Sequence, residues 1–300
     1  MLNPFIVSLA SKSMLSSPIK ADLHCHTNAS DNSFSIHDVV VQAKNAQLSH
    51  LAITDHDTTI GLEEAVQYGK QYDLHIIPGI EISAWDTLRN RRAHILGLYI
   101  DPNHPALEEL CGATVKMRHE ASRQMVTLAE QMGYDINWEL VCGYAKNGSA
   151  VYKQHIMHAL LDRGYCNEIN GELYKKLFSR SANEAGRALI PLKYPDAAEA
   201  IRAIQLAGGA AVLAHPGQLN NFEAIEEWTD WGLRGVEAFH PSHSLEDTKR
   251  ALQLADQYGL VVTGGSDYHG LYGDGKFPIG SVTVGKKEMS KLQDCIYHSL

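Results

Sequence analysis

The 300-residue sequence predicts an α/β chain built on a parallel sheet or barrel, and three observations carry that reading. Short apolar runs alternate with segments of helical periodicity. Nearly every run ends in a polar, ligand-type residue, the placement that (β/α) barrels use to build chemistry on one rim. The chain also holds 16 histidines, an excess for a residue that is not among the commonest.

Taken in order, residues 21–26, 51–55, 74–82 and 93–100 read as buried strands. Helical candidates at 36–47 and 61–72 separate the first three, with apolar residues three and four apart. Residues 107–132, 153–163 and 168–178 then look helical with no strand between them, so the rhythm breaks. Strands resume at 210–214, 235–239 and 260–264, preceded by helices at 196–207, 221–231 and 245–258. The expected division is an N-terminal extension at 1–19, a barrel from 20–101 and 193–300, and a helical insertion at 102–192 that shapes the rim.

Composition narrows the function. Apolar residues make up 44% and charged residues 20%, which excludes wholesale disorder. A formal charge of −9, from 26 Lys+Arg against 35 Asp+Glu, argues against nucleic acid held by a bulk basic surface. A small phosphorylated substrate stays compatible, because bound cations can supply the positive charge locally. Five scattered cysteines with no CxxC pair point to a reducing cytoplasm rather than a disulfide framework. The apolar run at 5–10 is short for a signal peptide and has no charge ahead of it, and no segment is long enough to cross a bilayer. A cytoplasmic location with no membrane partner is expected.

The chemistry-bearing residues fall in six segments. They are Asp22-Leu-His24-Cys-His26 with Asp31 following, Thr54-Asp55-His56-Asp57, Gly79-Ile-Glu81, Arg92-Ala-His94, Ala214-His215-Pro216 and Gly265-Ser-Asp267-Tyr-His269-Gly270. Singly, each has a plain explanation: a surface pair, a helix-capping Asp, one half of a salt bridge, a turn. Together, six histidines and three carboxylates in one cleft would repel and desolvate one another unless divalent cations sat among them. In a strand, His24 and His26 point to the same face and can share one metal.

In that order the motifs DLHCHT, TDHD, PGIE, AHILG, AHP and GSDYHG resemble the PHP (polymerase and histidinol phosphatase) family of metal-dependent phosphoesterases, over residues 19–284. The resemblance implies a distorted (β/α)7 barrel and a site of two to three divalent metal ions. It assigns one ion to His24, His26, Glu81 and Asp267, a second to Asp31, His56 and His269, and a third to Glu81, His94 and His215. A metal-bridging hydroxide held at Glu81 is the implied nucleophile. Mixed His and carboxylate ligation suits Mn²⁺, the first expectation, or Zn²⁺ or Fe²⁺, better than an all-oxygen Mg²⁺ cage. Asn32 stands where relatives often have Gly, a small departure because Asn also tolerates turn conformations.

Within the family, the insertion after AHILG and the segment GVEAFHPSHS at 235–244 resemble the ribonuclease AM-like group. These stand-alone bacterial enzymes act on nucleoside 3′,5′-bisphosphates and the 5′ ends of short RNA. The expected function is therefore a small-nucleotide phosphatase, with a 5′–3′ exonuclease activity on short single-stranded RNA as an extension and no obligate protein partner. Histidinol-phosphate phosphatase and a non-catalytic metal-bound module are the alternatives. Lys153, His155 and Arg180 are candidates to grip a second phosphate, with Arg118 and Arg123 as rivals and a solvated helix face as the plain reading of each. Glu237 and His243 follow a rim strand and are candidates for ligand support or substrate contact, and His240 for lining the site. Asp22 and Asp55 are placed to orient ligand histidines, and Cys25 to pack.

Overall fold

Apolar runs that alternate with helices are buried on both faces, and that burial dictates the architecture. The computed structural model describes residues 18–181, 184–273, 275 and 277–297. Most of the expected N-terminal extension, 1–17, lies outside the described residues. Seven strands form one sheet in chain order: β1 (Ala21–Asp22), β2 (His50–Ile53), β3 (His75–Asp86), β4 (Arg91–Leu98), β5 (Ala210–Leu213), β6 (Gly235–Phe239) and β7 (Val261–Gly264). Neighbours pair in parallel except at β4, which runs antiparallel to both β3 and β5. The expected all-parallel order fails there because only residues 87–90 join β3 to β4. A parallel return needs a crossover of about a dozen residues or more, whereas a turn of this length makes a hairpin. Asn90, at φ 51°, closes that hairpin.

The predicted first strand is cut short. After Asp22 the chain still touches the end of β2, where the Cys25 carbonyl accepts from the Thr54 amide (2.8 Å), and on its other side lies beside the continuation of β7. The Leu23 amide donates to the Gly264 carbonyl (3.1 Å), that of Asp267 to His24 (2.9 Å) and that of His26 to Tyr268 (3.1 Å). These bonds close the sheet into a barrel and carry His24 and His26 inward. Gly265 permits the approach, since a Cβ there would lie 2.4 Å from the His24 amide nitrogen.

The helices are α1 (Ile36–Asn45), α2 (Leu62–Tyr72), α3 (Pro105–Gln131), α4 (Trp138–Tyr144), α5 (Lys153–Asp162), α6 (Glu172–Phe178), α7 (Ala197–Leu206), α8 (Pro216–Leu219), α9 (Ile225–Asp230), α10 (Leu245–Tyr258) and α11 (Lys286–Tyr297). Their starts follow ordinary capping chemistry: Ser35 accepts from the Asp38 amide, and Asp196 with Glu199 and Ser244 with Asp247 form capping boxes. The helix expected at 221–231 is a 3₁₀ turn, Phe222–Ala224, followed by α9. The sequence reading did not anticipate α11, whose Met289, Leu292 and Ile296 pack beneath the barrel with Ala21, Leu98 and Val212.

Helices α3–α6 lie between β4 and β5 and build a separate apolar cluster from Met125, Val126, Met157, Leu160 and Phe178. α3 joins the two cores. Its Leu107 and Cys111 pack in the barrel and its Met125 and Val126 in the insertion. Among the described residues, no helix is long and apolar enough to cross a membrane.

Gly265→Ala should lower unfolding free energy by about 1–3 kcal/mol through overpacking at the barrel seam. Gly112→Ala, where a Cβ meets nothing within 4 Å in α3, should raise it by about 0.5–1 kcal/mol. Denaturant titration of both variants checks the pair, and effects of the same sign would contradict the seam.

Candidate metal centre

Glu81 enters from the middle of β3 with 1% of its surface exposed, and the other proposed ligands converge on it from six further places in the barrel. His24 and His26 come from the seam after β1, His56 from the end of β2, His94 from β4 and His215 from the end of β5. Asp31 arrives on the loop before α1, and Asp267 and His269 on the segment after β7. All nine residues named in the sequence are brought together.

Two ligand atoms, each about 2.1 Å from one cation and 90–109° apart, lie about 3.0–3.4 Å from each other. That spacing recurs here. His24 Nε2 is 3.4 Å from Glu81 Oε2 and 3.3 Å from Asp267 Oδ1, and His26 Nε2 is 3.4 and 3.1 Å from the same oxygens. Nδ1 of His94 and Nε2 of His215 approach Glu81 Oε1 at 2.8 and 3.0 Å, while His56 Nδ1 is 3.0 Å from Oε2. Asp31 Oδ1 lies 3.4 Å from His269 Nε2 and 3.9 Å from both His56 and His26.

The tightest groups are His26–Asp31–His56–His269, His24–His26–Glu81, His56–Glu81–His94, His24–His215–Asp267 and His24–Glu237–His240. These groups cut across the three-ion partition that the resemblance implies: His56 joins Glu81 and His94, and His215 joins Asp267.

The donor atoms fit divalent cations. His24 Nε2, His26 Nδ1, Asp31 Oδ1, His56 Nδ1 and His215 Nδ1 are buried without a hydrogen-bond partner among the described residues, a costly state for polar atoms. Charge shows the same need. Burial would raise the Glu81 carboxyl, yet His56, His94 and His24 hold it well below the carboxylate range. Burial acts against the His269 imidazolium, but Asp31 and Asp267 push its pKa up to about 10. Burial and the neighbouring His269 press His26 down to about 3. Without cations, these carboxylates rely on protonated imidazoles as counter-charges. Bound cations replace those protons.

Backbone geometry aims the donors. His215 and Asp267 take φ of 24° and 50°, left-handed values that cost non-glycine residues about 1–3 kcal/mol and cluster at functional sites. Around them stands a supporting layer. Glu237, fully buried on β6, takes His24 Nδ1 at 3.1 and 3.2 Å and the His215 amide at 2.8 Å. Asp55 accepts from the Thr27 amide (2.8 Å), its hydroxyl (2.7 Å) and Ser30 (2.5 Å), fixing the loop to Asp31. Asp22 accepts from the Ser266 amide (2.9 Å) and hydroxyl (2.6 Å) and from Gly280 (2.8 Å). Asp22 and Asp55 thus orient backbone rather than imidazole rings, and burial raises both to about 6. Asn32, at the departure from the family pattern, donates to the His26 and Tyr268 carbonyls at 2.9 and 3.2 Å. Cys25 is buried in the barrel core, as expected.

A cavity of about 850 Å³ opens above the cluster. One wall carries Asp31, His56, Glu81, His94, His215, Asp267 and His269. The lining also carries a cation wall of Arg92, Arg118, Lys153 and Arg180, with Tyr174 and Tyr194.

Three expected substrate residues are not in this lining. His155 is fully buried because its Nδ1 accepts from the Tyr152 amide (3.0 Å) at the start of α5. Glu237 lies beneath the ligands and touches them instead of the cavity. His243 is turned away, bonded to the Ala238 carbonyl (3.0 Å) and the Gly217 amide (3.2 Å). His240 takes the place expected of His243, 3.3 Å from Asp267 Oδ2. Of the rival arginines, Arg118 pairs with Asp57 and sits over Tyr152, and Arg123 sits over Trp138. Arg92 was missed. It lies two residues before His94 in β4, so strand alternation puts both on one face, and that signal was in the sequence.

Purified protein should carry two to three equivalents of transition metal by elemental analysis, and a chelator should abolish turnover. Glu237→Gln should weaken metal affinity about 10–100-fold. Unchanged affinity in that variant would contradict its supporting role.

The PHP domain family profile matches residues 22–209. The chain is 40% identical over 252 residues to a phosphoribosyl 1,2-cyclic phosphate 1,2-diphosphodiesterase of Eggerthella lenta, covering 84% of this chain and 95% of that protein. It is 29% identical to a 3′,5′-nucleoside bisphosphate phosphatase of Chromobacterium violaceum, covering 83% and 86%. A solved structure described as a metal-dependent phosphoesterase from Bifidobacterium adolescentis superposes with a TM-score of 0.83 at 28% identity, over 92% of this chain and 96% of that one. A seven-stranded barrel whose rim gathers nine metal-type ligands, matched in sequence and in shape to these enzymes, belongs to the PHP family of metal-dependent phosphoesterases.

Proposed function

We propose that this phosphoesterase acts on a small ribose compound bearing two phosphoryl groups, one cleaved at the ligand cluster and one held by the cations that line the same cavity. The observation that carries the reading is the cation wall itself. Among the described residues, no carboxylate pairs with Arg92, Lys153 or Arg180, although all three line one cavity. Burial, then Arg180, Arg92 and Arg118, press the Lys153 ammonium down to about 7. Such crowding is unfavourable until an anion enters, and a phosphate dianion accepts charge-assisted bonds from all of these groups.

His24, His26, Asp31, His56, Glu81, His94, His215, Asp267 and His269 would hold the cations. When bound, these supply charge neutralisation and a water-derived nucleophile at neutral pH. Arg92, Lys153 and Arg180 fix the distal phosphate and so orient the scissile one in line for attack. A phosphate monoester plus water gives the alcohol and inorganic phosphate.

Nucleoside 3′,5′-bisphosphates fit this arrangement, and a 5′-phosphorylated short RNA offers the same pairing of phosphates. Phosphoribosyl 1,2-cyclic phosphate is the second reading. It also places two phosphoryl groups on one ribose, and the 40% identity to the Eggerthella enzyme favours it. With that substrate, one water opens the cyclic diester to a monoester. Histidinol phosphate has a single phosphoryl group and leaves the cation wall without a partner.

A side-by-side assay with Mn²⁺ should show turnover of a doubly phosphorylated ribose compound at least tenfold above that of histidinol phosphate. The reverse order would sink the two-phosphate reading. Lys153→Ala and Arg180→Ala should each lower kcat/KM about 10–100-fold, mainly through KM, the loss of one bond to a charged group. Because the Lys153 ammonium loses its proton above about pH 7, KM should rise between pH 7 and 9, and Lys153→Arg should flatten that rise. A wild-type KM that is flat over this range would contradict the role of Lys153.

A further inference from the structure

We propose that Tyr152 and Tyr272 are positioning residues that hold the Asp31, His56 and His269 donors in register from the insertion side. The inference rests on the metal-centre reading and extends it to residues outside the barrel.

The need arises from connectivity. Asp31, His56 and His269 sit on three separate loops, and the 3.9 Å from Asp31 to His56 exceeds the 2.8–3.5 Å from Glu81 and Asp267 to their histidines. The Glu81 side is gripped from inside the barrel by Glu237. The Asp31 side is gripped by the insertion, which touches each of its three loops. The Ser149 amide donates to the Ala29 carbonyl (2.8 Å), two residues from Asp31. The Tyr152 hydroxyl donates to the His56 carbonyl (3.0 Å), and its ring stacks on the His56 imidazole at 6.4 Å between centroids.

Tyr272 secures the third loop from the other direction. It follows β7 in the chain, yet its ring is buried in the apolar cluster of the insertion, 4% exposed. Its hydroxyl bonds His158 Nδ1 (3.0 Å), its carbonyl accepts from Asn170 Nδ2 (2.9 Å), and its amide donates to the His269 carbonyl (3.1 Å). His155 stands between the two tyrosines, edge-on to Tyr152 at 5.9 Å and to Tyr272 at 5.5 Å. The three rings form one buried wedge that spans from the His56 loop to the His269 loop. Outer contacts of this kind commonly tune metal affinity about 10–100-fold.

The test strips the full-length protein of metal and titrates it with Mn²⁺, reading free ion by electron paramagnetic resonance. His269→Ala identifies which class of sites depends on the Asp31 group. Tyr272→Phe and Tyr152→Phe each delete one hydroxyl and keep the ring, and Asn170→Ala removes the carbonyl bond from outside the wedge. The expected result is about tenfold weaker Mn²⁺ binding in that class alone, with the remaining class as in wild type. Glu237→Gln should weaken the other class. Unchanged affinities in all three wedge variants, or equal weakening of every class, would overturn the positioning role, because a purely structural loss lowers stability without separating the sites. A wild-type chain that takes up no Mn²⁺ would sink the metal centre itself, and the wedge with it.

Discussion

Glu81 is a carboxylate buried at the centre of a barrel, with five imidazoles within 3.4 Å of its two oxygens. Left alone, a charge so enclosed would be heavily penalised. The surrounding design answers that penalty. The histidines hold the carboxylate ionised, Asp267 and Asp31 balance the histidines, and the orphaned nitrogens among them leave places that cations fill. Other features follow from keeping these groups converged: the seam at Gly265, the left-handed backbone at His215 and Asp267, and the Glu237 brace.

The same cluster explains how an acidic chain can serve an anionic substrate. The net charge of −9 belongs to the whole chain, whereas the cavity lining joins the candidate metal ligands with Arg92, Arg118, Lys153 and Arg180. Among the described residues, Arg118 alone of these four pairs with a carboxylate, Asp57. A cavity of about 850 Å³ that holds both groups is the setting for the proposed doubly phosphorylated substrate. The four positive side chains come from β4, α3, α5 and the segment after α6, so barrel and insertion both contribute cations to the cavity.

The ligand set was legible because strand chemistry is local. An HxH pair, a Glu within an apolar run or an Asp-x-His after a glycine each point to the barrel interior, and the six segments together left few alternatives, although Glu81, expected at a strand end, lies in the middle of a longer β3. What could not be read was set by long-range geometry. Nothing in DLHCHT says that the strand ends at Asp22, because the cause is Gly264–Tyr268, about 240 residues away. The antiparallel course of β4 depends on the brevity of one turn. Lys153 and His155 were both expected to grip a phosphate; Lys153 lines the cavity, and two residues further along α5 suffice to turn His155 into the interior. Glu237 and His240 were legible as rim residues but not as partners of His24 and Asp267, since pairing across β6 is a property of the closed barrel.

Anomalous diffraction from crystals grown with Mn²⁺ would locate the cations themselves. At least two anomalous peaks are expected among the nine side chains, with Glu81 coordinating through both of its oxygens. Peaks confined to sites that Glu81 does not touch, or a single ion on the surface, would contradict that arrangement.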